Sequence, residues 1–175
     1  MADEAIPDGS APRSFTVIYT EDVLRDAVRT FVWRRFVIDQ ARMWIVALVM
    51  AGVVFAGLME GGSQLGLTLA AIATLIPLAL ALIAWWVHGS STLGAFRRMR
   101  IPRATFTLHE DEMDIASDMA TGTVPWSALT EIWERPRFWM IFTARNQFNV
   151  IPKDNVPEET RAWFRARNRR ILKQM

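Results

Sequence analysis

The sequence predicts an α+β membrane protein, in which a two-span transmembrane helical hairpin carries a small cytoplasmic antiparallel β-sheet closed by a C-terminal helix. Three observations support this prediction. Residues 43–59 and 65–87 contain no charged side chain, the apolar residues follow a period of two from residue 104 onward, and a helical spacing returns after Pro157. Apolar residues make up 51% of the chain, and they are densest in these two uncharged runs.

The N-terminal part divides into a tail and a segment that joins the cytoplasmic domain. Residues 1–14 combine two prolines with small and acidic residues, which predicts a disordered tail. Residues 15–42 begin with the alternating stretch FTVIYT, a predicted strand, and continue with an amphipathic helix over residues 21–36. The apolar face of this helix either lies on the membrane surface or packs against the sheet, and the sequence leaves both alternatives open.

The two uncharged runs define a transmembrane hairpin over residues 43–88. An α-helix rises about 1.5 Å per residue, so a hydrocarbon core of about 30 Å takes roughly 20 residues. Both runs are apolar on all sides, whereas a helix at the surface of a soluble core has a polar stripe. Roughly forty mostly polar residues precede the first run, which is unlike a cleaved signal peptide. Both spans are therefore expected in the mature protein.

Arginines flank the hairpin on one side only. The connection at residues 60–64 has no basic residue, and Lys and Arg near span ends are retained in the cytoplasm. The flanking arginines are Arg25, Arg29, Arg34, Arg35 and Arg42 before the first span, and Arg97, Arg98, Arg100 and Arg103 after the second. We therefore expect a multi-pass membrane protein with both termini in the cytoplasm. The absence of cysteine agrees with a reducing compartment.

Small residues predict how the two helices of the hairpin pack, and tryptophans predict where the hairpin meets the cytoplasmic interface. Small residues recur at four-residue spacing, which allows two membrane helices to approach closely. The pairs are Ala47 with Ala51, Gly52 with Ala56, and Gly66 with Ala70. Trp85 and Trp86 are expected at the cytoplasmic interface, where an indole ring keeps its N–H group hydrated. Thr68 and Thr74 can donate to their own helix backbone, so neither predicts a polar path across the membrane.

Residues 89–103 are a basic juxtamembrane segment, and residues 104–175 are predicted to form the cytoplasmic sheet and the last helix. The predicted strands cover residues 104–109, 113–117, 130–134, 138–144 and 148–152. The helix is expected from Pro157 to about Lys173, because Pro suits a first helical turn and two glutamates follow it. Three tryptophans, Trp126, Trp133 and Trp139, are interpreted as structural core, with Trp126 as its plug.

The motifs FTLHEDEMDIAS, TVPWSALTEIWE, FWMIF and VIPKDNVPEE, following a two-span hairpin, resemble the YcxB-like family of bacterial membrane proteins. The resemblance covers most of the chain, from about Phe15 to the last helix. It implies a cytoplasmic, pleckstrin-homology-like small sheet with a closing helix, in a bacterial inner membrane. It brings no established activity and no catalytic residues.

The residues themselves predict no catalytic, cofactor-binding or metal site. His88 and His109 have no paired spacing, and a zinc site needs several such ligands. The acidic stretch around Glu110 lacks the ordered ligands and the glycine of a calcium loop, so it is interpreted as a solvated turn. That stretch contains Glu110, Asp111, Glu112 and Asp114. The arginines cluster beside the spans and the net charge is only +2, so no nucleic-acid surface is expected.

These observations predict a membrane-anchored cytoplasmic interaction module that binds a protein or anionic lipid partner. Its environment is the lipid bilayer, and the partner is either anionic lipid headgroups or a protein segment added to a sheet edge. The candidate headgroup contacts are Arg97, Arg98, Arg100 and Arg103. The alternative is an auxiliary or oligomeric transport-related protein, and an enzyme is the least favoured reading. The sequence does not define the oligomeric state.

Overall fold

The computed structural model describes residues 13–174, and the chain within it divides into two compact units. The sheet unit comprises residues 13–27 and 95–174, and the helical unit comprises Val28–Gly94. The architecture is α+β, with four α-helices and two small sheets among the described residues. The predicted tail lies outside the described residues, apart from its last two positions.

The first sheet of the sheet unit is antiparallel throughout. Its strands are β1 (Arg13–Ile18), β2 (Arg103–Leu108), β3 (Glu112–Ser117) and β4 (Thr121–Pro125), in that order. Strand β1 pairs with β2 along its whole length, from Arg13 opposite Leu108 to Ile18 opposite Arg103. Neighbouring strands of one sheet are thus separated in the sequence by three helices. The long apolar helices are an insertion between β1 and β2.

The second sheet contains one parallel strand. Its order is β7 (Gln147–Pro152), β6 (Phe138–Ala144), β5 (Glu131–Glu134) and β8 (Leu172–Gln174). Strands β5, β6 and β7 are antiparallel neighbours, whereas β8 runs parallel to β5. A 3₁₀ turn at Trp126–Ala128 leads from the first sheet to the second, and helix α4 (Glu158–Arg167) follows β7.

One cluster of buried side chains joins both sheets and α4. The rings of Phe15 in β1 and Phe106 in β2 stack with their centroids 5.5 Å apart. The ring centroids of Trp139 in β6 and Phe164 in α4 are 4.6 Å apart. Strand β6 is buried on both faces, because its first five residues are each at most 1% exposed. A strand of that kind reads as a continuous apolar run, as FWMIF does.

The remaining helices are α1 (Glu21–Val32), α2 (Ala41–Glu60) and α3 (Gln64–Arg98), with a π-helical segment at Trp33–Ile38. The apolar face of α1 is buried in the protein, at 7% exposure or less. That face consists of Val23, Leu24, Ala27, Val28, Phe31 and Val32. Of the two alternatives left open by the sequence, the one in which this face lies on the membrane surface is therefore disfavoured.

In the helical unit, α2 and α3 are joined by a tight glycine turn. Gly61 ends α2 with a φ of 73°, which favours glycine, and the Gly62 N–H donates to the carbonyl of Gly57 at 2.7 Å. A Cβ atom at Gly57 would lie 2.5 Å from Leu67 Cδ2, whereas one at Gly52 would meet nothing within 4 Å. Of these two glycines of α2, Gly57 is the one that lies against α3. The predicted role of Gly52 in helix packing is therefore wrong.

The ends of several elements differ from the prediction. Strand β1 begins at Arg13, inside the predicted tail, because Arg13 and Ser14 continue the ladder with β2. Helix α3 continues to Arg98, so residues 89–98 of the predicted juxtamembrane segment are helical. The last helix ends at Arg167, and not near Lys173. The Asn168 side-chain amide donates to the carbonyl of Phe164, and the Asn168 carbonyl accepts from the N–H groups of Ile171 and Leu172. The chain then turns and forms β8.

Candidate functional site

Helices α2 and α3 carry most of the exposed large apolar side chains of the described residues. Both are long and apolar enough to cross a membrane, and only 6% and 17% of their most apolar windows are buried. The core helix of a soluble protein would be mostly buried. Thr68 donates to the carbonyl of Gln64 and Thr74 to that of Ala70, so both hydroxyls are satisfied within α3 as predicted.

The four candidate lipid contacts all lie at exposed positions where α3 leads into β2. Arg97 and Arg98 occupy the last turn of α3, Arg100 follows it, and Arg103 is the first residue of β2. Arg97 pairs with Glu21 at 3.4 Å, and Glu21 pairs more closely with Arg25 at 2.7 Å. The Arg25 guanidinium, with a smaller contribution from Arg97, lowers the pKa of Glu21. Arg97 is therefore already engaged by a carboxylate of the sheet unit.

The connection between α3 and β2 is held by a side chain from another turn. Asp118, between β3 and β4, accepts hydrogen bonds from the backbone N–H groups of Arg100 at 2.6 Å and Ile101 at 3.1 Å. Its carboxylate thus satisfies two backbone donors that lie just after the helix. The position of Arg100 is therefore fixed through its backbone, while its side chain stays exposed.

The three tryptophans of the sequence prediction occupy different environments. Trp133 and Trp139 are 0% and 1% exposed, on β5 and β6. Trp126 is partly buried, and its indole N–H donates to the carbonyl of His109 at 3.1 Å. Its ring also lies edge-on to Phe164 at 6.0 Å. Trp126 therefore covers the edge of the core, and the fully buried positions belong to the other two.

A buried group of charged side chains lies between the second sheet and α4. Lys153, which is 5% exposed, donates from Nζ to Glu134 Oε1 at 2.9 Å and to the carbonyl of Arg135 at 2.6 Å. Arg165 of α4 also reaches Glu134 Oε1 at 2.9 Å, and Nζ of Lys153 lies 5.0 Å from the Trp139 ring centroid. Burial alone would raise the pKa of Glu134, but the hydrogen bonds from Lys153 and Arg165 outweigh it and lower that pKa.

One residue of the acidic stretch, Asp114 of β3, makes a short surface network with His109 and Thr123. Asp114 contacts His109 Nε2 at 2.8 Å and accepts a hydrogen bond from Thr123 at 2.5 Å. The Thr123 hydroxyl, followed by His109, lowers the pKa of Asp114. Asp114 lies between the other two groups, whereas activation of a hydroxyl nucleophile needs the imidazole in that position. Within residues 13–174, no group of three or more His, Asp or Glu residues could hold a metal ion.

Four features of the sheet unit have no counterpart in the sequence prediction. Strand β4 covers Thr121–Pro125, where no strand was predicted. Lys153 lies in a stretch that reads as a turn, yet it is buried. The buried face of α4 is formed by Thr160, Phe164 and Asn168, each four residues from the next, whereas Ala162 and Ala166 are exposed. The i, i+4 spacing could have revealed this face, since residues four apart share one side of a helix. No local signal marks β8, because its three residues follow a helical spacing.

The fold thus defines a class of protein: a small two-sheet unit with a closing helix, into which a pair of long apolar helices is inserted after the first strand. The protein-family model described as YcxB-like protein matches residues 108–165, from the end of β2 into α4. This match supports the assignment to the YcxB-like family and confirms the predicted resemblance over residues 108–165. No curated protein and no solved structure matches the chain.

Proposed function

We propose that the chain is a non-catalytic, membrane-anchored interaction module of the bacterial inner membrane. In this proposal α2 and α3 cross the bilayer as a hairpin, and both termini and the sheet unit are cytoplasmic. The carrying observation is the exposed, uncharged surface of residues 43–59 and 65–87 of α2 and α3, which water would solvate poorly. The insertion between β1 and β2 supports one further point. A single sheet needs both strands on the same side, so both hairpin ends must return to that side.

A pleckstrin-homology-like arrangement is proposed for the sheet unit. Its support is the division into a four-stranded antiparallel sheet followed by three antiparallel strands, with α4 packed on the shared core. The YcxB-like match falls on this part of the chain. Strand β8 is then an addition to the arrangement, at the outer edge of β5.

The anchor is tested by extraction of the full-length chain from bacterial membranes. We expect the chain to stay in the membrane fraction through washing at alkaline pH and to be released only by detergent. Arginines at the exposed positions Val53 and Leu75 should displace it, because each costs about 2.5–3.5 kcal/mol at a helix centre. Met119→Arg, at an equally exposed position of the sheet unit, is the matched control. Release of the unchanged chain by the alkaline wash would refute the anchor.

For the lipid alternative, the expected result is a loss of selectivity for anionic lipid when Arg97, Arg98, Arg100 and Arg103 become Gln. Each arginine near an anionic leaflet contributes about 1 kcal/mol. The measurement is energy transfer from tryptophan to dansyl-labelled phosphatidylglycerol, and separately to labelled phosphatidylcholine, in vesicles containing the full chain. The selectivity of the unchanged chain should also fall as salt rises.

The control for this experiment removes the same charge elsewhere. Four exposed arginines of the sheet unit, Arg137, Arg145, Arg169 and Arg170, are replaced by Gln. This control should leave the selectivity unchanged. If both sets of substitutions have the same effect, or neither has any, the arginines after α3 set the topology and do not select lipid.

A further inference from the structure

The outer edge of β5 is covered by a three-residue strand from the far end of the described chain. Residue pairs Ile132 with Leu172 and Trp133 with Lys173 define the parallel register, and the Ile132 N–H donates to the carbonyl of Ile171 at 2.9 Å. Strand β8 is the one parallel strand in the described part of either sheet. The structure therefore shows directly what kind of segment this edge accepts.

Two side-chain contacts give the edge a chemical preference. Ile171 and Leu172 are partly buried against the core that both sheets share. The next residue, Lys173, is 54% exposed along its side chain and reaches Glu131 Oε1 at 2.5 Å, while the Glu131 side chain is only 15% exposed. The edge thus takes aliphatic residues followed by a cation, and the fixed carboxylate of β5 receives that cation.

Few backbone hydrogen bonds keep β8 on this edge. Its ladder covers three residues, and parallel pairing is slightly less stable per residue than antiparallel pairing. The turn that delivers it is closed by N–H groups of Ile171 and Leu172, both donating to the carbonyl of Asn168. The advantage of β8 over a free segment is its attachment, which corresponds to an effective concentration on the order of millimolar.

We propose that the outer edge of β5 is a docking edge for an extended segment of a partner protein, with an aliphatic residue followed by Lys or Arg. In the free chain β8 occupies this edge, and the partner segment replaces it. Backbone hydrogen bonds to β5 provide affinity. The apolar contact with the core, together with the neighbouring Glu131 carboxylate, selects the side chains of the partner segment. The inference rests on the proposed function as an interaction module and names the class of its protein partner.

The test uses a fluorescent peptide with the sequence of residues 168–175, NRRILKQM, and the detergent-solubilised chain. A chain shortened to end at Arg170 should bind this peptide, measured by fluorescence anisotropy. The intact chain should bind it at least about tenfold more weakly, because its own β8 competes. A peptide with Lys173→Glu should lose about tenfold in affinity or more, since Glu131 then faces a like charge.

A scrambled peptide of the same composition controls for charge and hydrophobicity. Failure of the folded, shortened chain to bind NRRILKQM, or equal binding of the scrambled peptide, overturns the proposal. Folding of the shortened chain is checked by its melting transition and near-ultraviolet circular dichroism.

A second variant covers the case in which the shortened chain does not fold. The protein has no cysteine, so Ile132→Cys with Leu172→Cys places a single disulfide-forming pair across the β5–β8 register. Peptide binding should appear only after reduction. Equal binding by the oxidised and reduced forms, or no binding by either, overturns the proposal. A disulfide-linked dimer would instead assign the edge to β8 of a second copy, which also overturns it.

These outcomes separate the inference from the proposed function. Peptide binding is measured in detergent and does not depend on how the chain sits in a membrane. If the peptide does not bind while the chain resists alkaline extraction, the docking edge is refuted and the membrane anchor is supported. If the peptide binds while alkaline washing releases the chain, the membrane anchor is refuted and the docking edge is supported.

Discussion

Replacing Trp139 by alanine should lower the free energy of unfolding of the sheet unit by about 3–5 kcal/mol, the usual cost of truncating a buried aromatic side chain. Trp139 is 1% exposed, contacts Phe164 of α4 and lies beneath the ammonium group of Lys153. The cavity would therefore open where the second sheet, α4 and the buried charges meet. Chemical denaturation of the full chain in detergent, followed by near-ultraviolet circular dichroism, measures the loss.

Trp126→Ala is the matched comparison for this prediction. It removes the same side chain from a partly buried position, where less apolar surface is lost from the core. We expect a clearly smaller loss of stability than at Trp139. If the two substitutions cost the same, or Trp126→Ala costs more, Trp126 is the central plug after all and the assignment of the core to Trp139 is wrong.

Replacing Glu134 by alanine should cost about 3–5 kcal/mol of stability, because it leaves a buried ammonium group without its carboxylate. The side chains of Glu134 and Lys153 are 9% and 6% exposed, so water screens the pair little. Thermal and denaturant unfolding of the full chain measures this loss. The double variant Glu134→Leu, Lys153→Met should recover most of it, because removing both charges leaves neither one unpaired. A double variant as unstable as Glu134→Ala would contradict this explanation.

The same pair predicts how stability depends on pH. The pKa of Glu134 is lower in the folded chain than the unfolded value of 4.5. A carboxylate with a depressed pKa contributes stability that is fully present above the unfolded value and is lost as pH falls through the folded one. Part of the acid sensitivity below about pH 4.5 should therefore disappear in Glu134→Ala.

The parts of the fold that sequence reasoning recovered are those with strong local periodicity. The two uncharged runs predict α2 and α3 because a helix without a polar face has a clear pattern. Strands β2, β3 and β5 to β7 follow alternating or wholly apolar stretches, whereas β4, with the sequence TGTVP, was not predicted. The glycine pair between the helices predicts their turn, and Gly61 has the positive φ that such a turn needs.

The parts that were not predicted depend on contacts between distant residues. The division into two sheets, and the pairing of β5 with β8, depend on strand partners that no local pattern shows. Lys153 reads as a turn residue, and its burial depends on Glu134, nineteen positions away, and on Arg165 of α4. The end of α4 at Arg167 is not marked by the periodicity, which continues beyond it.

The position of β1 has a practical consequence. Because β1 pairs with β2 from Arg13 to Ile18, a fragment that begins after α3 would lack an edge strand and two core residues, Phe15 and Val17. Stability is therefore measured on the full chain, and the chain shortened to Arg170 for peptide binding keeps β1. In the proposed membrane arrangement, the same pairing requires both ends of the hairpin to lie on one side of the membrane.

The most direct test of the membrane-anchored arrangement is cysteine labelling in intact bacterial cells. The chain has no cysteine, so Gln64→Cys, at the start of α3, and Ser127→Cys, in the exposed turn before β5, each provide one reactive thiol. We predict that a membrane-impermeant maleimide labels Gln64→Cys from outside the inner membrane and labels Ser127→Cys only after the membrane is permeabilised. Labelling of Ser127→Cys from outside, or of Gln64→Cys only after permeabilisation, would contradict a hairpin that holds the sheet unit in the cytoplasm.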